Sequence, residues 1–420
     1  MLIEFSVTNF RSIRDKVKLS MVADKSVSKK NELPDNLIEV DKNLHLLKSA
    51  VIYGRNASGK SNIIDAFVTL FVHILLSKEN KIGEKIPLYN TFHFDKKCQE
   101  SPIKFEISFL LFNKEENLKI KYEYTLELNS DIILYESLHF YPKGQRAKLF
   151  ERMNEKKIIY GESLRGNKKN IEDGLLDNQL FLSKSSNYKL GLINEVYLFF
   201  VNKLVPYNTF FLDESIEKKE PKEDKLQAQI ENPIWKKNLL ELLKAADTGI
   251  TDIVFDKESK IFYTKHEFET INSKNKSSSF LNLRSESLGT QRLIAMSGIF
   301  FESLIEGGTV IIDELDKSLH PLLTKMLIKI FHSKKNNPNN AQLIFATHDS
   351  SLMNGELFRR DQMFITEKDE TGQTSIKSLA SIKGVRKDIP FEKWYLNGSF
   401  GGIPVIYEPE FEFNADKPVE

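Results

Sequence analysis

The chain has 420 residues, 28% of them charged, with a net charge of +1, which carries one large core or two smaller ones and argues against a whole-surface field built to hold nucleic acid. A single cysteine, Cys98, and eight histidines without a zinc-type spacing exclude an intrachain disulfide and a multi-thiolate metal site. The sequence shows no uninterrupted apolar run of roughly 18 residues and its start, MLIEFSVTNFRSIRD, lacks signal-peptide order, so a cytoplasmic protein away from membranes is expected.

Along the chain, LIEFSVTNF alternates as an early half-buried strand does, and the polar stretch 24–45 reads as a loop. The apolar run SAVIY then leads into GRNASGKS at 54–61. Gly54, four residues, Gly59, Lys60 and Ser61 fit the spacing of a phosphate-binding loop. Glycines there permit backbone dihedrals and close approaches that a Cβ would block, so successive N–H groups converge on one anion-sized hollow. Lys60 would reach the β- and γ-phosphates and Ser61 would offer its hydroxyl to Mg²⁺. NIIDAFVTLFVHILL, beginning at Asn62, has helical spacing and would place a positive helix end behind the phosphates.

Three β-rich runs at 103–112, 119–128 and 131–141 are separated by turn-like segments and predict an antiparallel meander, with a further strand at KLFERM. Residues 160–230 are mixed, and the charged run at 213–225 reads as a solvated loop. WKKNLLELLKAAD predicts a helix; ITDIVFD and KIFYTKHEF predict strands. SESLGTQRLIAMSGIFFESLI predicts a helix led by a small-residue turn. In GGTVIIDELD, Val310, Ile311 and Ile312 form the continuous apolar run of a buried parallel strand. Ligands bind beyond the carboxyl ends of such strands, so Asp313 and Glu314 should land beside the phosphates. Leu319, Leu322, Leu323, Met326, Leu327, Ile330 and Phe331 then follow helical spacing, and the buried strand QLIFAT leads to His348.

This order of motifs resembles the ATP-binding-cassette class of P-loop ATPases, in the branch with RecF and the SMC proteins. GRNASGKSNIIDA looks like its Walker A, VIIDELD its Walker B, the Asp316 region its D-loop, ESLGTQR its signature motif and THD its His switch. The resemblance implies an α/β fold: an ATPase head with a parallel-sheet P-loop core, an antiparallel meander, a helical insertion and no long coiled coil. It implies one such domain over 1–420, with a P-loop part (1–85), a β subdomain (86–160), a mixed insertion (161–280) and a part carrying signature, Walker B, His switch and tail (281–420). ATP would be held by Gly54, Arg55, Asn56, Ala57, Ser58, Gly59, Lys60, Ser61 and Asn62, and Mg²⁺ by Ser61 and Asp313. Glu314 would polarise the attacking water and His348 would sense the γ-phosphate. Ser287 and Gly289 would cap the γ-phosphate bound by the opposite subunit, giving a homodimer or higher oligomer; an ordinary helix N-cap is the other reading of Ser287. Arg11 is either a phosphate contact or a surface arginine. The segment IPLYNTFHFD at 86–95 sits where a Q-loop would lie but has no Gln.

The tail, FRRDQMFITEKDETGQTSIKSLASI with WYLNGSFGGIPVI, resembles the end of abortive-infection ATPases of the AbiL-like group related to the OLD nucleases. Glu367 and Asp369 read as surface charges there. The resemblance implies an ATPase that senses infection or DNA state and controls a separate effector, a nuclease or other toxic enzyme. A RecF-like ATP-gated DNA clamp is the alternative, which leaves nucleic acid open as a partner.

Overall fold

The computed structural model describes residues 1–28, 32–113, 118–153, 157–207, 222–269 and 276–404. Most of the charged run at 213–225 lies outside the described residues. In chain order the strands are β1 (Leu2–Thr8), β2 (Val17–Ser20), β3 (Leu37–Glu39), β4 (His45–Leu47), β5 (Ser49–Tyr53), β6 (Ile103–Asn113), β7 (Leu118–Leu128), β8 (Ile133–Phe140) and β9 (Ala147–Met153). They continue with β10 (Ile158–Tyr160), β11 (Leu204–Tyr207), β12 (Ile250–Asp256), β13 (Ile261–Glu269), β14 (Lys276–Asn282), β15 (Thr309–Ile312), β16 (Gln342–Ala346), β17 (Met363–Lys368) and β18 (Thr374–Ser378).

The central sheet has the order β11-β15-β16-β5-β17-β18, and all its pairings are parallel except the last. Its inner strands are buried on both faces, which is why SAVIY, TVII and QLIFA read as continuous apolar runs. Alternate residues serve two cores. Ala50, Ile52, Ile311 and Ile344 face one core with the helix Lys60–Leu76. Val51, Tyr53, Val310, Ile312, Leu343 and Phe345 face the other, with the helices Pro233–Ala245, Leu288–Glu306 and Pro321–His332.

The helix Lys60–Leu76 lies between this sheet and a seven-stranded antiparallel one, β10-β9-β8-β7-β6-β1-β2. Both of its sides are covered, so it is apolar nearly all round. The helical stretch Lys60–Glu79 has the length and composition of a membrane span, contrary to the sequence expectation, yet 72% of its apolar window is buried inside the protein. Phe67 stacks on Phe5 of β1 with ring centroids 3.8 Å apart. β7 alternates buried and half-buried positions, as a sheet with one face on the core requires. The predicted meander is therefore present, enlarged by β1, which pairs with β6.

Residues 24–45 are more than a loop, because β3 and β4 form a small hairpin over Leu110 and Ile3. Leu322 also departs from the predicted inward stripe. It is 66% exposed, while Thr324, Leu327, Ile328 and Phe331 carry the buried face of its helix.

Candidate functional site: the carboxyl edge of the parallel sheet

β5 ends at Tyr53 and the chain turns at once into the Gly-rich loop. Gly54 and Gly59 have positive φ (154° and 100°), and so does Ala57 at 61°. A Cβ on Gly54 would run into Thr366 and Ser58, and one on Gly59 into Thr374, so both glycines answer to close neighbours as well as to dihedrals. Those neighbours form a brace. Ser58 Oγ lies 2.6 Å from Thr366 Oγ1, which donates to the Tyr53 carbonyl at 3.0 Å. Thr374 Oγ1 donates to the Ser58 carbonyl at 3.0 Å and meets Ser12 Oγ at 2.8 Å; Asn62 Nδ2 donates to the same Ser12 oxygen at 2.5 Å. Arg55, Asn56 and Ala57 stand exposed at the crest.

Lys60 is buried, and its ammonium donates to the Gly54 and Arg55 carbonyls at 2.7 and 3.2 Å. Burial pulls its pKa down, while Asp313, Glu314 and Asp316 oppose that shift through their charge. All three carboxylates thus act on the loop lysine. Asp313 directly follows β15, and burial pushes its carboxyl above the usual Asp value; a hydrogen bond with Ser61 and the Lys60 charge work the other way. Its Oδ1 is buried without a protein partner, as is Asp316 Oδ1.

Strand order explains how these groups meet. β16 separates β15 from β5, so the end of β16 opens between Asp313 and Glu314 on one side and the loop on the other. His348 stands there, exposed, one residue beyond buried Thr347, whose N–H donates to the Ile52 carbonyl at 3.1 Å. Glu314 adopts positive φ (52°), and its side chain, 3.3 Å from Lys317, is partly exposed.

Ser287 and Gly289 are brought elsewhere. Ser287 is the N-cap of the helix Leu288–Glu306, its Oγ accepting from Thr290 N at 3.1 Å. A Cβ on Gly289 would come within 2.5 Å of the Ser318 carbonyl, so this helix start rests on the segment after Asp316 and not on the Gly-rich loop. Glu286, just before it, is gripped by Thr264 Oγ1 at 2.5 Å and His266 Nε2 at 2.7 Å from the sheet β12-β13-β14. Ser287 itself is exposed, and Leu288 is 73% exposed. Arg11 pairs with Asp65 on the helix that follows the loop, which places it beside that helix as an ion-pair partner.

Sequence reasoning missed four parts of this site. Thr366 and Thr374 brace the loop from β17 and β18 and carry no motif. Arg292, inside the quoted ESLGTQR, donates from Nη2 to the Glu314 carbonyl at 2.5 Å. The tail closes on the loop as well: a Cβ on Gly402 would lie 3.5 Å from Gly54 Cα, and Tyr395 donates to the Gly402 carbonyl at 3.1 Å.

A family described as "AAA domain, putative AbiEii toxin, Type IV TA system" matches residues 49–354. The chain belongs to this AAA family. The match opens at the first residue of β5 and closes beyond His348, so the AAA region encloses the loop, the carboxylates and the Ser287 helix. An AAA domain is a nucleotide-binding ATPase module. No curated protein matches the chain. Among solved structures, an SMC head domain from Thermotoga maritima is 14% identical, covering 90% of this chain and 98% of that one at a TM-score of 0.39. An Smc head domain with coiled coil and joint derived from Pyrococcus yayanosii is 10% identical, covering 95% and 99% at 0.43. An SmcHead bound to the C-winged helix domain of ScpA is 12% identical, covering 90% and 97% at 0.40.

Proposed function

We propose that this AAA-family protein is an ABC-type ATPase whose ATP-driven pairing controls a separate toxic effector in defence against phage. The observation that carries the ATPase reading is the meeting of Lys60, Ser61, Asp313 and Glu314 at one edge of the parallel sheet.

In this reading the loop N–H groups, from Gly54 to Asn62, receive the phosphates, and Lys60 exchanges its two loop carbonyls for the β- and γ-oxygens. Mg²⁺ fits the donor set. Asp313 presents a buried, unpartnered oxygen beside the Ser61 hydroxyl. Ser61 and Asp313 would hold the ion together with oxygens of the bound phosphates and water, the ligand type Mg²⁺ takes. The ion would supply neutralisation of the phosphate charge. Glu314 orients and polarises the attacking water, and His348 reads the γ-phosphate from the end of β16.

Ser287 and Gly289 serve the nucleotide of a second copy. The helix start at exposed Ser287 and Leu288 offers an anion site facing outward. Two copies would then enclose two ATP molecules, and hydrolysis would let them part. The family description, with its type IV toxin–antitoxin system, supports the defence role.

Mg²⁺-dependent phosphate release should vanish in Lys60→Ala and in Glu314→Gln. Normal turnover in both variants would remove the site assignment. Phage plating on cells that carry the locus should show protection with the wild type and none with Lys60→Ala; equal protection would remove the ATP-controlled defence role.

A further inference from the structure

The segment 86–95, which lacks the glutamine of a Q-loop, carries near its end an aromatic residue outside the site described above. Phe94 is 77% exposed. A lone exposed aromatic is ordinary in itself; this one is anchored and placed. Phe92, buried beneath it, meets its ring edge-on with centroids 5.7 Å apart. Gly372 backs it: φ is +79°, and a Cβ there would lie 2.7 Å from Phe94 Cδ2 and 2.9 Å from Cε2, so the ring rests against bare backbone.

Gly372 belongs to the turn between β17 and β18, and that turn is closed by its own hydrogen bonds. Asp369 Oδ1 accepts from the N–H groups of Thr371 and Gln373 at 2.9 Å each, and Gly372 N donates to the Asp369 carbonyl at 3.0 Å. Two residues on, Thr374 presses on Gly59 and donates to the Ser58 carbonyl. Two residues of chain, at most about 7 Å, therefore separate the glycine behind the Phe94 ring from the threonine that touches the phosphate loop. A ring this close to the loop is within reach of the base of a nucleotide whose phosphates the loop holds.

Direction agrees with distance. Glu314 and His348 lie two residues beyond the ends of β15 and β16, on one side of β5. A triphosphate with its γ end toward them has its nucleoside end over β17 and β18, on the other side. Arg14, Asp15 and Gln373 border that end: Arg14 Nη2 pairs with Asp15 at 3.1 Å, and Gln373 Nε2 donates to Asp15 at 3.0 Å.

We infer that Phe94, held on the β17–β18 turn by Gly372 and Phe92, is the platform on which the purine base of the bound nucleotide stacks. This rests on the nucleotide reading of the Gly-rich loop and adds the determinant of base affinity. The ring is already immobilised, so little side-chain entropy is lost when a base covers it.

The test compares two ligands on the full-length Glu314→Gln protein by calorimetry: Mg-ATP and inorganic tripolyphosphate. With Phe94→Ala added, the Kd for ATP should rise about tenfold or more, in line with base–aromatic stacking elsewhere. Tripolyphosphate should bind as before, and Phe94→Trp should restore ATP affinity. An unchanged ATP Kd in Phe94→Ala, or an equal loss for both ligands, would overturn the platform. Failure of the parent protein to bind either ligand would overturn the nucleotide assignment beneath it. Phe94 is so exposed that its truncation leaves the core intact.

Discussion

Arg292 Nη2 donates to the main-chain carbonyl of Glu314 at 2.5 Å. The bond ties the helix capped by Ser287 to the carboxylate proposed to act on water. Glu314 holds positive φ (52°), a costly conformation for a non-glycine residue, and the arginine offsets that cost by satisfying its carbonyl. A displacement of this helix by a second copy would therefore reach Glu314 through one side chain.

Arg292→Ala should keep ATP binding within about threefold of wild type and cut turnover about 10²-fold, the scale at which a small misplacement of a reacting group acts. ATP titration and phosphate release on one preparation check it. Loss of both in parallel would instead mark Arg292 as a folding residue.

Asp313→Asn separates stability from function. Burial raises the folded pKa of Asp313, so its favourable contribution is present below the ordinary Asp value and is lost as pH rises through the raised value. At neutral pH the charge is a cost. Nucleotide-free Asp313→Asn should melt about 1–2 °C above wild type while losing Mg²⁺-dependent hydrolysis. A lower melting temperature would contradict the burial argument.

His73 predicts an acid weakness. It sits in the helix behind the loop, its Nε2 buried without a partner, and burial pushes its pKa down to about 4. A folded pKa below the unfolded 6.5 means that stability is lost as pH falls from about 6.5 toward about 4. The loss from this group between about pH 7.5 and pH 5 is about 2 kcal/mol. His73→Leu should lose less stability than wild type across that interval in denaturant melts; equal losses would clear His73 of the effect.

Gly59→Ala should weaken ATP binding and lower stability by about 1–3 kcal/mol, because the new Cβ meets Thr374 and φ is 100°. Thr374→Ala, which removes the two atoms nearest the new Cβ, should leave Gly59→Ala impaired, since the dihedral strain stays. Full rescue by Thr374→Ala would show that crowding alone demands the glycine.

What could be read from the sequence was local. The loop spacing, the run TVII before Asp313 and the helical period of Leu293, Ile294, Met296 and Phe300 each lie within one turn or strand of their consequences. Ser287 as an N-cap is equally local. What could not be read depends on distant chain. Ser58 and Thr366 are 308 residues apart, and Gly402 reaches Gly54 from the far tail. A threonine in a strand carries no sign of which loop it will brace. β3 and β4 escaped notice because three-residue strands have too few positions to show a period. Arg292 was in view inside ESLGTQR, but its partner is a backbone carbonyl, which no sequence pattern marks.

The outward-facing Ser287 helix is expected to complete the ATP site of a second copy. The direct measurement is the mass of the Glu314→Gln protein by light scattering, with and without Mg-ATP. Doubling on ATP, abolished by Ser287→Arg, is the predicted result. A protein that binds ATP and keeps the mass of one chain would contradict it.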